Sequence, residues 1–270
     1  MGIINSRHLN LQARKQEFIA AFPFPHIVLD DFLEADILED LKSISENTNA
    51  AVGGKTFSSA VERKKWISLN SVLPDPIKQV VDALNTEAWV KNMIDLTGIA
   101  SLVSTSNGNT KLANYHVMEP GGELGSHVDH SYEPTLGIPH VLNVIVYLSE
   151  NWEENAGGAT LFYDQKGKNI ISRIAYRPNR AVLFLHSPYT FHGVEKVSEN
   201  ARFKRKTVYV DYYSQSYQPY DGMKLNFDLN WFKHGTTFKL NNYLDYLKPE
   251  NRQYAKALLQ YQLNKLIKKS

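Results

Sequence analysis

The sequence predicts an α+β fold, with helices in the first third of the chain and a β-rich centre. Residues 142–148, 180–185 and 207–213 are short apolar runs rich in β-branched and aromatic side chains, which is typical of buried strands. Turn residues such as Gly157-Gly158 separate runs of this kind from residue 101 onward. Short strands divided by turns favour a β-sandwich or barrel.

The segments before this centre have a helical spacing of apolar residues. Residues 9–21 predict a short helix, and residues 34–44 place several apolar side chains on one helical face after a strand at 26–33. Residues 74–99 predict two more helices. Residues 50–64 are polar and contain glycine, so a loop is expected there.

We expect one domain in three parts. Residues 101–215 form the β core, and residues 1–100 form a helical support region that packs on one sheet. Residues 216–270 form a helical extension, because apolar residues at 241–268 recur with helical spacing. No internal repeat or low-complexity linker marks a second domain.

The composition excludes several partners and kinds of site. Lys and Arg total 30 against 28 Asp and Glu, so nothing in the charge indicates binding to nucleic acid or to an anionic membrane. No apolar stretch is long enough for a membrane helix or a secretory signal, and a cytoplasmic location is expected. Without cysteine, any metal site must use histidine and carboxylate ligands. The oligomeric state stays open.

Three residues have the pattern of an open metal site. His127 and Asp129 lie two residues apart, so on a strand their side chains point to the same face. His192 follows a later apolar segment, as expected for a distant third ligand on a closed sheet. Two histidines and one carboxylate leave coordination positions free for substrates. The alternative is a chance His-x-Asp tripeptide and a hydrogen-bonded loop histidine.

The other central histidines are weaker candidates. His130 would point away from the predicted carboxylate ligand on a strand, and His186 lacks the glycine that follows His192, so both are expected in loops. His116 and His140 have no metal-like partner in the sequence and are expected to be structural.

A series of short motifs between residues 114 and 213 gives the context for these ligands. The motifs are, in order, Asn114-Tyr115, Pro120-Gly121-Gly122, His127-Val128-Asp129, Leu142-Asn143, Tyr147-Leu148, Gly157-Gly158, His192-Gly193 and Arg205-Lys206-Thr207. The chain thereby resembles the prolyl 4-hydroxylase-like 2-oxoglutarate/Fe(II)-dependent oxygenases. The resemblance implies a double-stranded β-helix of the jelly-roll or cupin type, with Fe(II) on His127, Asp129 and His192. It also implies 2-oxoglutarate and O2 as co-substrates, with ascorbate in a supporting role.

The resemblance further implies a cation that binds the far carboxylate of 2-oxoglutarate. Arg205 and Thr207 match the family's Arg-x-Ser/Thr element, and on a strand they face the same way. Arg202, Lys204 and Lys206 are alternatives, because some members use lysine and Arg202 lies nearer the usual separation from the distal histidine.

Aromatic and amide side chains are expected to complete this cofactor site. Tyr147 matches the family tyrosine whose hydroxyl bonds the co-substrate carboxylate, and Asn143 shares its face of the strand. Tyr115 matches another family tyrosine, although a buried aromatic that only packs fits the sequence nearly as well.

The expected activity is hydroxylation of an unactivated C–H bond, with release of succinate and CO2. Asp129 argues against the related halogenases, in which a small residue replaces the acidic ligand. A metal- or ligand-binding β-barrel without catalysis has no need for a 2-oxoglutarate site. A small metabolite or another unidentified molecule is the preferred substrate, and a prolyl residue of a protein or peptide is the alternative. Specificity is expected in the loops, including residues 50–66 and 130–139.

Overall fold

The computed structural model describes residues 2–45, 55–59, 61–104, 113–130, 133, 137–187, 189–215 and 237–238, with isolated positions between 244 and 259. The helical extension expected at 241–268 therefore lies outside the described residues, apart from those isolated positions. No helix in the described ranges is both long enough and apolar enough to cross a membrane.

Helices occupy the N-terminal part of the described chain and strands the centre. The helices are α1 (Lys15–Ala20), α2 (Ala35–Ser45), α3 (Asp75–Ala83) and α4 (Glu87–Thr97). Single 3-10 turns lie at Ser6–His8, Gln12–Arg14, Asn70–Val72 and Glu154–Ala156. The strands are β1 (His26–Leu29), β2 (Lys55–Phe57), β3 (Glu62–Ser68), β4 (Leu102–Ser104), β5 (Tyr115–Val128), β6 (His140–Tyr147), β7 (Thr160–Tyr163), β8 (Ile170–Ile174), β9 (Ala181–Leu185), β10 (His192–Val194), β11 (Arg205–Ser214) and β12 (Thr237–Phe238).

The loop predicted at residues 50–64 is wrong where the chain is described, because β2 and the start of β3 lie within it. Residues Glu62–Lys65 are all charged, so β3 lacks the alternation of apolar and polar residues that indicates a strand in a sequence. The strand forms because β5 supplies its backbone hydrogen-bond partners, with Trp66 opposite Val117.

The strands form a curled antiparallel sheet in the order β1-β9-β6-β11-β5-β10-β7-β8. The long strand β5 connects the two halves of this sheet, β1-β9-β6-β11 and β10-β7-β8. Its first residues pair with β11, and its last residues pair with β10. Between these halves Gly121 has a φ of +81°, a conformation that glycine adopts without strain. The last residues of β5 and the first residue of β10 thus lie side by side inside the curled sheet.

The two faces of β6 and β11 have different neighbours. Val144 and Val146 of β6, with Val208 and Val210 of β11, belong to a buried cluster that also contains α3 and α4 residues. The indole N–H of Trp89 donates to the Tyr212 hydroxyl at 3.0 Å, which ties α4 to β11. Because side chains alternate along a strand, the intervening residues of β6 and β11 face the interior of the curl.

Candidate active site

The predicted metal ligands meet at the end of β5. His192 of β10 lies directly opposite His127 in the β5–β10 pair. Asp129 is the first residue after β5. Its Oδ1 lies 3.2 Å from His127 Nε2, and its Oδ2 lies 3.2 Å from His192 Nε2. All three side chains are largely buried. The structure therefore brings together the three residues that the sequence singled out.

Backbone carbonyls orient both imidazole rings. His127 Nδ1 lies 2.8 Å from the Gly125 carbonyl oxygen, and His192 Nδ1 lies 3.1 Å from that of Thr190. A carbonyl can only accept, so each Nδ1 carries a hydrogen, and Nε2 is the nitrogen that each ring would offer to a metal. Gly193 allows the close approach of β10, because a Cβ there would lie 2.6 Å from the Leu124 carbonyl oxygen.

Asp129 is held as a carboxylate. Burial alone would raise its pKa, but the neighbouring His192 and His127 hold the pKa of Asp129 well below its usual range. Burial lowers the pKa of His127, and its proximity to His192 lowers it further. One anionic oxygen ligand and two imidazole nitrogens thus point at a common centre, as Fe(II) or a similar divalent ion requires.

Two side chains from the facing strands fix the Asp129 carboxylate. The Tyr209 hydroxyl donates to Asp129 Oδ2 at 2.8 Å and lies 3.1 Å from Asn143 Oδ1. The Asn143 amide donates to the same Asp129 oxygen at 3.2 Å. Asn143, predicted to meet the cofactor, thus contacts a ligand of the triad and is not among the described residues that line the cavity.

Arg205 lies in the same cavity as the triad and is buried. Its Nε donates to the Gly158 carbonyl oxygen at 2.7 Å, and its guanidinium lies over the rings of Tyr147 and Tyr176. No ion pair in the described part of the chain involves Arg205. A buried guanidinium without an acidic partner is costly, and an anionic ligand would offset that cost.

The alternative cations lie elsewhere. The Arg202 side chain is 81% exposed and faces Glu153. Lys204 pairs with Glu119 at 2.9 Å. Neither Arg202, Lys204 nor Lys206 is among the described lining residues of the cavity. The geometry thus favours Arg205 over them.

The remaining predicted cofactor residues differ in position. Thr207 lines the cavity beside Arg205. The Tyr147 ring packs against the Arg205 guanidinium. The Tyr147 hydroxyl is 2.6 Å from Oγ1 of Thr160, which itself lines the cavity. Tyr115 packs edge-on against Trp66 in the core next to the helices and is not among the described lining residues. Packing is thus the role that the structure supports for Tyr115.

Several lining residues were not predicted. Tyr209 continues the alternation of Arg205 and Thr207, so the period of two could have found it. His116 lines the cavity although the sequence indicated a structural histidine; burial, with Lys65 nearby, lowers its pKa to about 3. Lys65 reaches the cavity through the unpredicted pairing of β3 with β5. Thr160 gave no sequence signal.

His140, for which the sequence indicated no metal-like partner, lies beside a carboxylate and a second histidine. His140 Nε2 lies 3.3 Å from Asp211 Oδ1, and His130 Nε2 lies 3.5 Å from Asp211 Oδ2. This cluster has no local signal in the sequence, because it depends on the pairing of β6 with β11.

Comparisons with known proteins agree with this geometry. Residues 110–213 match the model of the 2OG-Fe(II) oxygenase superfamily. No curated protein matches the chain significantly. A Trichoplax adhaerens prolyl hydroxylase, solved with a peptide fragment of the hypoxia inducible factor oxygen degradation domain, is 15% identical with a TM-score of 0.54. That alignment covers 77% of this chain and 91% of the other.

Two bacterial structures are similar to the same extent. A Pseudomonas putida prolyl-4-hydroxylase has a TM-score of 0.52 at 14% identity, over 76% of this chain and 99% of that one. A Burkholderia pseudomallei oxidoreductase of the 2OG-Fe(II) oxygenase family has a TM-score of 0.51 at 13% identity, over 76% and 90%. At these identities the likeness concerns the fold.

Proposed function

We infer that this chain, whose residues 110–213 match the model of the 2OG-Fe(II) oxygenase superfamily, is a 2-oxoglutarate and Fe(II) dependent dioxygenase that hydroxylates an unactivated C–H bond. One observation carries this function: a single cavity contains a His2Asp triad and a buried arginine without an acidic partner. The first is a site for a divalent metal, and the second is a site for a carboxylate. A non-catalytic metal-binding barrel would need only the first.

His127, Asp129 and His192 would hold the iron. Their ligand atoms lie within 4.8 Å of one another, and two imidazoles with one carboxylate leave adjacent coordination positions open. When bound, Fe(II) with 2-oxoglutarate supplies an O2-dependent oxidation that yields succinate, CO2 and a hydroxylated product. Tyr209 and Asn143 would keep the Asp129 carboxylate in one orientation, because both donate to the same oxygen.

Arg205 would bind the far carboxylate of 2-oxoglutarate. Its planar guanidinium is suited to a bidentate contact, and the Thr207 and Thr160 hydroxyls lie in the same cavity. Tyr147 would support the arginine from below, since the guanidinium carbon is 5.3 Å from its ring centroid. Burial of this end of the cavity excludes water and strengthens each charge-assisted hydrogen bond.

The architecture proposed for this function is the jelly-roll double-stranded β-helix at residues 101–215. Residues 1–100 would support one sheet, and residues 216–270 would form the extension. The shared cluster of α3, α4, β6 and β11 supports the first of these assignments. A rigid backing of this kind would fix the strands that carry Asn143, Arg205 and Tyr209.

A small metabolite or other unidentified molecule is the preferred substrate, and a prolyl residue of a peptide is the second candidate. The second rests on the prolyl hydroxylases of similar fold, which at 15% identity or less share the architecture alone. Lys65 and His116, which line the cavity outside the proposed iron and 2-oxoglutarate contacts, would face the substrate.

The test is succinate formation by the purified protein with Fe(II), ascorbate and 2-oxoglutarate, against pooled metabolites and pooled proline-containing peptides. We expect succinate that depends on iron and O2, with a substrate gaining the mass of one oxygen atom. The variant Asp129→Ala is the control and should form none. Equal succinate formation by that variant would contradict the proposed function.

A further inference from the structure

A second cluster of metal-ligand side chains lies next to the triad in the sequence but is separate from it. His130 follows Asp129, His140 begins β6, and Asp211 lies in β11. Their ligand atoms lie within 4.8 Å of one another. In the β6–β11 pair Asp211 lies opposite Asn143, so it is on the interior face. None of these three residues is among the described lining residues of the iron cavity.

We propose that His130, His140 and Asp211 form a second site for a divalent metal ion of the zinc type. The spacing of the ligand atoms is close to that of the iron triad. The Asp211 oxygens lie 3.3 Å from His140 Nε2 and 3.5 Å from His130 Nε2, against 3.2 Å for both contacts of Asp129.

His140 is oriented with one ring nitrogen towards Asp211. Its Nδ1 lies 2.9 Å from the His130 carbonyl oxygen, so Nδ1 carries a hydrogen and Nε2 is the nitrogen that would bind a metal. That nitrogen lies 3.3 Å from Asp211 Oδ1, a carboxylate oxygen. The two atoms are buried and have no hydrogen-bond partner among the described residues, so a cation between them would satisfy both.

The chemistry of the cluster suits zinc. Two imidazole nitrogens and one carboxylate oxygen are common zinc ligands, and a fourth position is left for water or another group. The His186 ring packs on His140 with centroids 4.1 Å apart, which holds the ligand ring in place. The Tyr213 hydroxyl lies 3.0 Å from His130 Nε2 and donates to Asp211 Oδ2 at 3.3 Å, so it contacts two of the three proposed ligands.

A metal at this position would join three separate parts of the chain. It would tie the residue after Asp129 to the start of β6 and to β11, which also carries Arg205 and Tyr209. The ion would therefore fix the segment that presents Asp129 and would stabilise the folded protein, because metal binding to the native state adds to its free energy of unfolding.

The test measures metal stoichiometry after dialysis against Zn2+, with Co2+ as a spectroscopic probe. The double variant His127→Ala/His192→Ala removes two triad ligands and isolates the second site. We expect about two equivalents of metal in the wild type and about one in this variant. Adding Asp211→Asn should leave none, with loss of the Co2+ absorption. Adding His26→Gln, a control at a half-buried histidine outside both clusters, should leave the metal bound.

Thermal unfolding of the same proteins keeps the proposal testable if a cluster variant folds poorly. Zn2+ should raise the Tm of the double triad variant, and a chelator should reverse the rise. A double variant that binds no metal and shows no Tm shift would overturn the second site, as would full retention of metal after Asp211→Asn. If the wild type has one metal that survives loss of the triad but not Asp211→Asn, the second site stands and the proposed iron triad fails.

Discussion

Replacing Arg205 by alanine separates co-substrate binding from metal binding. The guanidinium would make two charge-assisted hydrogen bonds to the far carboxylate of 2-oxoglutarate, each contributing about 1.5–3 kcal/mol. Loss of at least about 3 kcal/mol corresponds to a weakening of roughly 100-fold or more, at 1.4 kcal/mol per tenfold. Iron affinity should change little, because Arg205 has no contact with the triad in the described structure.

The assay is succinate formation as a function of 2-oxoglutarate concentration, with iron content measured in parallel. Arg205→Lys should recover part of the loss, since it restores the charge but not the planar fork. Arg202→Ala is the matched control, because its side chain is exposed and paired with Glu153. An unchanged 2-oxoglutarate KM in Arg205→Ala, or an equal increase in Arg202→Ala, would refute the assignment. Tm values check that the buried variant remains folded.

Three further outcomes follow from the geometry. Tyr209→Phe removes one hydrogen bond to Asp129 and should weaken iron binding about 3- to 10-fold, measured by iron titration; an unchanged affinity would exclude its positioning role. Thr207→Val should raise the 2-oxoglutarate KM about tenfold or less, because one neutral hydroxyl is lost; an effect as large as that of Arg205→Ala would contradict this ranking. Two hydrogen bonds from Arg180 lower the pKa of Asp30 in the folded protein, although partial burial opposes this. The stabilisation of the folded state by these bonds is therefore present above the ordinary pKa of 3.8 and is lost as the pH falls through the lower pKa of the folded protein. The Tm difference between wild type and Asp30→Asn should thus shrink below about pH 4, and a constant difference would argue against this linkage.

The side-chain period of a strand explains how much of the site could be predicted. The spacing of His127 and Asp129 singled them out, because residues two apart on a strand share a face. The family resemblance singled out Arg205 and Thr207, which share a face for the same reason. Tyr209 follows the same rule, because it lies two residues after Thr207 and lines the same cavity.

Residues brought in by long-range pairing could not be predicted in the same way. Lys65 lines the cavity because β3 pairs with β5, and His140 meets Asp211 because β6 pairs with β11. Neither pairing leaves a local signal in the sequence. Tyr115 is a different case: the family match implied a cofactor contact, packing fitted the sequence nearly as well, and the structure places the ring against Trp66.

The central claim is that the triad and Arg205 act together as one site for iron and 2-oxoglutarate. Equilibrium dialysis of labelled 2-oxoglutarate without O2, with and without Fe(II), tests it without knowledge of the substrate. We predict about one equivalent bound in the presence of Fe(II), and binding weakened at least roughly tenfold by omitting the metal, by Asp129→Ala or by Arg205→Ala. Binding of equal strength without iron and in both variants would contradict the account.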